Sequence, residues 1–261
     1  PMMLYFPMAL THSPMVHTPN KPKAKTKRER HIAMVEYTDH LVGRLTRAIA
    51  DLDLTKDTLI IFTTDNGTSG SLRGTVAGKR PSGGKASKWE GGVCQPFVVY
   101  GPGRVSFGTT SDALVDFTDL LPTFAELGGA ALPKDHVVDG NSFAKVLRGQ
   151  ARDGTRQWTM ALGHGPARLD KLGVVGKVPY TPRVIRNKRY KVWVDNKRRI
   201  TALYDLVQDP LERDNLLPTK EQALLPVLRS MRRVVAATPK IDARPRYGKR
   251  LAQPWDREHK K

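Results

Sequence analysis

A helical period followed by a continuous apolar run constrains the fold of this chain most strongly. Apolar residues between positions 31 and 52 recur every three or four residues, which predicts an amphipathic helix. Soon afterwards Leu59-Ile60-Ile61-Phe62 forms a run without polar residues, and residues 97–100 repeat that pattern. Such runs are typical of strands buried on both faces of a parallel sheet, so we predict an α/β fold. Residues 2–6 predict another buried strand, and residues 118–128 predict a helix that ends at a glycine pair.

The pattern changes near residue 150. Residues 151–182 are irregular, and short β-prone segments between 184 and 204 predict a small antiparallel sheet. Thr219 and Gln222 match a capping box, which predicts a helix that continues to about residue 235. Pro226 conflicts with that helix, because proline removes a backbone donor. We expect the basic tail that follows to be extended.

Polar residues follow the first predicted internal strand at Thr63-Thr64-Asp65-Asn66-Gly67. Ligands in α/β sheets bind beyond the carboxyl ends of the strands. Asp65 and Asn66 would offer two hard oxygen ligands, which suit Ca²⁺ or Mg²⁺. The Asn-Gly pair also favours a hairpin, but the following residues are rich in glycine and lack an alternating strand. A plain loop and a metal site both remain open from spacing alone.

Other candidate residues carry weak signals alone. His12 and His17 fit no zinc pattern, and the glycines near Lys85 do not form a phosphate-binding loop. We interpret Cys94, the single cysteine, as a small core residue.

The charge balance favours polyanionic partners. Lys and Arg number 44 against 25 Asp and Glu, which gives a net charge of +19. Between residues 168 and 199 there are eleven cations and two acids, but few aromatic residues, so we expect no nucleic acid partner. No apolar run reaches the 18 residues or so that a membrane span requires, and we predict no span.

Five segments between residues 2 and 217 carry modest patterns that follow one another in order. They are residues 4–14 with His12, Asp65-Asn66-Gly67, the Lys85 loop with Glu90-Gly91-Gly92, residues 119–123, and residues 203–216. Together they resemble the sulfatase family of the alkaline phosphatase superfamily. The resemblance implies an α/β fold, with residues 1–150 as the C-terminal part of an alkaline-phosphatase-like sulfatase core. Residues 151–261 would then form a small α+β subdomain with an antiparallel sheet and a basic tail.

The resemblance also implies an activity and its residues. The enzyme would be an arylsulfatase-like sulfuric ester hydrolase, periplasmic or secreted, acting on a sulfate ester for which a sulfated polysaccharide is a candidate. Asp65 and Asn66 would bind Ca²⁺, with Mg²⁺ as the alternative. His12 and Lys85 would be catalytic residues that contact the sulfate group.

The family's Cys-x-Pro-Ser-Arg motif, which supplies the formylglycine nucleophile, does not occur in this sequence. The chain also opens inside an apolar run, so we expect a truncated sequence with the formylglycine upstream, and no activity from this chain alone. Two alternatives remain open. One is a phosphate monoester or diester hydrolase of the same superfamily, and the other is a non-catalytic polyanion-binding remnant.

Overall fold

The computed structural model describes residues 2–72, 74–75, 78–163, 168–170, 173–175, 180–219 and 221–242. The predicted basic tail beyond residue 242 and parts of residues 151–182 lie outside these residues. The prediction of an irregular stretch at 151–182 was wrong in part, because three of the strands below lie within it. The helices are α1 (Lys27–Asp51), α2 (Glu90–Val93), α3 (Leu120–Gly128), α4 (Ala144–Leu147) and α5 (Leu225–Ala237). The strands are β1 (Ile60–Thr63), β2 (Phe97–Tyr100), β3 (Thr159–Leu162), β4 (Arg168–Asp170), β5 (Gly173–Val175), β6 (Arg183–Arg186), β7 (Tyr190–Val194) and β8 (Ile200–Asp205).

Helix α1 confirms the predicted amphipathic helix. It begins at Lys27, four residues before the predicted start at residue 31. A capping box explains this start, because the Thr26 hydroxyl accepts from the Glu29 backbone amide at 3.1 Å and the Glu29 carboxylate accepts from the Thr26 amide at 3.3 Å. Only the first half of the apolar face is covered. Met34 is buried, whereas Leu45 and Leu52 further along are exposed.

Strands β1 and β2 form a two-stranded antiparallel sheet, with Ile60 opposite Tyr100 and Thr63 opposite Phe97. The prediction of parallel strands buried on both faces was therefore wrong. Within the described residues no third strand joins this pair, and Val98 and Tyr100 on β2 are exposed. The prediction of a buried strand at residues 2–6 was also wrong, because this segment is exposed and belongs to no described strand.

The second half of the chain contains the larger core. Strands β3, β6, β7 and β8 form an antiparallel sheet in that order, which confirms the predicted sheet. Its buried Ile185, Val192 and Leu203 pack with Leu228 and Met231 of α5. Each such side chain contributes roughly 1.5–3 kcal/mol when it is fully buried.

Helix α5 confirms the predicted C-terminal helix but begins differently. Pro226 lies in the first turn, where its missing amide donor would be unpaired in any case, so it does not disturb the helix. The predicted capping box does not form. Thr219 instead accepts from the nearby Glu221 amide at 3.1 Å, and a short 3₁₀ turn over Gln222–Leu224 leads into α5.

Polar contacts connect the residues before and after position 150. Arg156, almost fully buried, donates to Asp119 at 2.7 Å, and the Ser82 hydroxyl donates to the Leu211 carbonyl. The domain boundary near residue 150 stays a prediction. Among the residues that the structure describes, no helix is long and apolar enough to cross a membrane.

Candidate functional site

The residues after β1 present two free oxygen-bearing side chains. Asp65 is exposed and Asn66 is half-buried. Across the described residues, neither side chain takes part in a hydrogen bond or an ion pair, whereas the Asn66 backbone carbonyl accepts from the Thr64 hydroxyl at 3.3 Å. A carboxylate and an amide without other partners are suitable ligands for a hard cation.

The Lys85 loop (residues 79–93) lies directly against this segment. The Lys85 amide donates to the Thr68 carbonyl at 2.9 Å, and the Gly67 amide donates to the Gly92 carbonyl at 3.0 Å. The approach requires glycine, because a Cβ on Gly67 would lie 1.9 Å from the Gly91 carbonyl oxygen. The Lys85 side chain is exposed and has no partner within the described part of the chain. These backbone contacts therefore hold the loop that carries Lys85 against the segment that carries Asp65 and Asn66.

His12 lies on an exposed loop, where its Nδ1 is 2.7 Å from the Ser13 carbonyl oxygen. Leu10 and Met15, on either side of it, pack against Met34 of α1 and Leu72. Leu72 follows the Asp65 segment, and its amide donates to the Ser69 carbonyl at 2.9 Å. The His12 loop and the Asp65 segment are thus attached to one small apolar cluster.

The chemistry of these residues fits a divalent cation only in part. Asp65 and Asn66 supply two oxygens, while Ca²⁺ takes about six to eight. Within the described residues no group of three or more His, Cys, Asp or Glu side chains could hold a metal ion. The roles assigned to Asp65, Asn66, Lys85 and His12 stay predictions.

A buried cluster of charges fixes the end of the Lys85 loop. We call Glu90, Arg186, Lys191 and Glu212 the ion cluster. The Lys191 ammonium is fully buried and lies 3.0 Å from Glu90 Oε1 and 2.8 Å from Glu212 Oε1. Arg186 forms a second ion pair with Glu90, and the Glu90 amide donates to Glu212 Oε2 at 2.7 Å. Each carboxylate therefore has a cation, as buried charges require.

Aromatic packing adds to this attachment. Trp89 contacts Trp193 of β7, with ring centroids 4.6 Å apart, and Tyr204 of β8 at 5.7 Å. The Lys88 ammonium lies 5.1 Å from the Trp193 ring centroid, within cation–π distance. Three consecutive residues of the Lys85 loop thus rest on the four-stranded sheet.

Sequence reasoning missed Arg186 and Lys191, and it included Glu212 in the family-like segment 203–216 without giving it a role. A signal existed for Lys191, since a lysine within the apolar strand segment Tyr190–Val194 requires a buried partner. The interpretation of Cys94 as a core residue was wrong. Cys94 is exposed, because it lies in the connection that follows α2 rather than inside a strand.

Comparison with known proteins gives a consistent result over nearly the whole chain. The family model described as Sulfatase matches residues 1–130, and the model described as N-sulphoglucosamine sulphohydrolase, C-terminal, matches residues 85–237. Human arylsulfatase A is 31% identical over 271 aligned positions, which cover 95% of this chain and 50% of that protein. Human steryl-sulfatase is 36% identical over 124 positions, covering 45% of this chain and 21% of that protein.

Solved structures agree on the fold. The crystal structure of Ps i-CgsB has a TM-score of 0.66 and 24% identity, and the match covers 87% of this chain and 48% of that chain. A protein solved with its substrate D-glucosamine-2-N,6-O-disulfate has a TM-score of 0.61 and 20% identity, with coverage of 82% and 42%. These likenesses confirm the predicted mixed α/β fold. The chain spans half or less of the length of these relatives.

Proposed function

The chain belongs to the sulfatase family, and on that premise we propose that it forms part of an enzyme that hydrolyses sulfate esters. The observation that carries the proposal is the pair of backbone hydrogen bonds that joins the Asp65 segment to the Lys85 loop. They hold together the loops that carry Asp65, Asn66 and Lys85, whose side chains have no hydrogen bond or ion pair within the described part of the chain. A phosphate or sulfate ester needs these charges, because its anionic group must be held while charge develops on the leaving oxygen.

Each residue has one role in the proposed reaction. Asp65 and Asn66 would hold Ca²⁺, or Mg²⁺ in its place, together with ligands from elsewhere. The cation, when bound, polarises the sulfate oxygens. Lys85 would contact a sulfate oxygen and offset its charge, and His12 would donate a hydrogen bond to the sulfate or to the ester oxygen. The sequence lacks Cys-x-Pro-Ser-Arg, so we expect the formylglycine nucleophile to come from outside these 261 residues.

The proposed substrate is a sulfated saccharide. The net charge of +19 favours a polyanion, and a structural neighbour was solved with a disulfated glucosamine as its substrate. From membership of the sulfatase family we also propose a periplasmic or secreted location.

The test compares esters and variants in the intact gene product that contains this chain. We expect hydrolysis of 4-methylumbelliferyl sulfate that EDTA abolishes, and little hydrolysis of the matching phosphate. Lys85→Ala should lower kcat by about 100-fold or more, since it removes a group that stabilises developing charge. Lys79→Ala, on the same loop and also exposed, is the matched control and should keep full activity. Preference for the phosphate ester would favour the phosphohydrolase alternative and contradict the proposal.

A further inference from the structure

A cationic groove lies at the end of α5, apart from the loops of the proposed active site. It has a volume of about 610 Å³. Arg198, Arg199 and Ile200, from the β7–β8 turn and the start of β8, line one side. Arg232, Val235 and Lys240, from α5 and the residues after it, line the other. We call this the α5 groove. It shares no residue with the Asp65 segment, the Lys85 loop or the His12 loop.

The charges of the α5 groove are not balanced. Arg232 and Lys240 are exposed and have no carboxylate within ion-pair distance among the residues that the structure describes. Arg199 forms an ion pair with Asp195 at 2.7 Å. In the described part of the chain, Asp195 is the one acid that pairs with a cation of the groove. Within the ranges that the structure describes, the groove lining contains no carboxylate. Four cations therefore surround a concave surface with one nearby acid, and a bound anion would relieve their mutual repulsion.

Two of the four cations are held in place by polar contacts, Arg198 by backbone carbonyls and Arg199 by the Asp195 carboxylate, which accepts from its Nε at 2.8 Å. Arg198 has a positive φ of 63°, and its Nη2 donates to the carbonyls of Val235 at 2.6 Å and Thr238 at 3.0 Å. Asp195 orders the neighbouring turn by accepting from the Arg199 amide at 2.8 Å. A groove with fixed arginines loses less side-chain entropy on binding an anion than a surface of free lysines would.

The lining points to one class of anion. We infer that the α5 groove binds a segment of a sulfated oligosaccharide, as a second contact for the polymeric substrate proposed above. The half-buried Ile200 and the exposed Ala236 offer apolar surface to the C–H face of a sugar ring, while the flanking cations suit sulfate groups. Among the described residues no aromatic side chain lines the groove, so these residues offer no stacking surface of the kind by which proteins hold single-stranded nucleic acid. The inference rests on the proposed function for its substrate class.

The experiment measures binding of a heparin octasaccharide to the full chain by calorimetry in about 0.15 M salt, where distant charges are screened. The groove variant is Arg232→Gln with Lys240→Gln. The matched control is Arg229→Gln with Arg233→Gln, which removes two exposed cations from the same helix outside the groove. We expect the groove variant to bind about tenfold more weakly, the combined effect of two exposed charge contacts. The control should stay within about twofold of the parent chain.

Equal losses in both double variants would show attraction by net charge alone and would overturn the inference. An oligonucleotide of equal charge that bound as tightly, and lost affinity in the groove variant, would overturn the assignment to a saccharide. Binding is measured without turnover, so the two proposals fail separately. Octasaccharide binding that depends on the groove, in a protein that cleaves no sulfate ester, would refute the proposed function and leave the anion site standing.

Discussion

Replacing Lys191 by Met should destabilise the fold more than any other single change in the ion cluster. Met fills similar space but carries no charge, so Glu212, whose side chain is fully buried, would lose its cation. The Glu90 amide, at 2.7 Å, would remain its hydrogen-bond donor, and Arg186 would still pair with Glu90. Removing one partner of a buried ion pair costs about 3–5 kcal/mol, because it leaves an uncompensated charge in the interior.

Urea unfolding, followed by tryptophan fluorescence, measures this loss well because Trp89 and Trp193 lie in contact beside the cluster. Thermal unfolding gives a second measure of the same loss. At roughly 2–4 °C per kcal/mol for a chain of this size, the melting temperature should fall by about 6–20 °C. Lys188→Met is the matched control. Lys188 is a partly exposed lysine that pairs with Asp153 at 2.6 Å, and its loss should change stability little.

A second substitution tests the reasoning directly. Lys191→Met combined with Glu212→Gln removes the isolated charge, and it should recover a large part of the lost free energy. If Lys191→Met unfolds at the same urea concentration as the parent chain, the buried pair is not what holds the Lys85 loop. The same conclusion follows if Glu212→Gln deepens the loss instead of reversing it.

Three further predictions concern the loops and helix α1. Gly67→Ala should cost about 1–3 kcal/mol, since the added Cβ would meet the Gly91 carbonyl oxygen at 1.9 Å, and thermal unfolding checks this. Cys94 as a whole residue is exposed, but neighbouring atoms partly desolvate its thiol, and this desolvation, then the nearby Glu90 charge, raises the thiol pKa. Iodoacetamide should therefore modify Cys94 more slowly than a small free thiol at pH 7.5. Burial, then the charge of Arg28, lowers the pKa of His31, so the folded state resists its protonation. Stability should therefore fall as the pH drops below about 6.5, and urea unfolding of His31→Gln across that range should show a smaller fall.

The local elements of the fold could be predicted from the sequence because their signals are local. The period of α1, the glycine pair at the end of α3 and the β-prone segments of β6 to β8 each belong to one element. The direction in which β1 and β2 pair could not be predicted. An apolar run shows that a strand is covered, but not which neighbour covers it, and a two-stranded antiparallel sheet satisfies β1 as well as a parallel one.

The sequence predicted the individual residues of the candidate site but not the contacts between them. Asp65, Asn66 and Lys85 follow from short patterns, and the hydrogen bonds that join their loops became evident only in the structure. The ion cluster joins Glu90 to residues about a hundred positions later in the chain, and no local pattern links such distant charges. Residues 2–6 have the composition of a buried strand, but burial needs a partner that their sequence does not specify.

Because of the ion cluster, the Lys85 loop cannot be exchanged between related proteins independently of the rest of the chain. Glu90 belongs to the loop, while Lys191 and Glu212 belong to the later half of the chain. A chimera that took this loop from a relative with a different residue at position 90 would leave the Lys191 ammonium with one of its two carboxylates. Transplanting the loop between sulfatases should succeed only when its distant partners move with it.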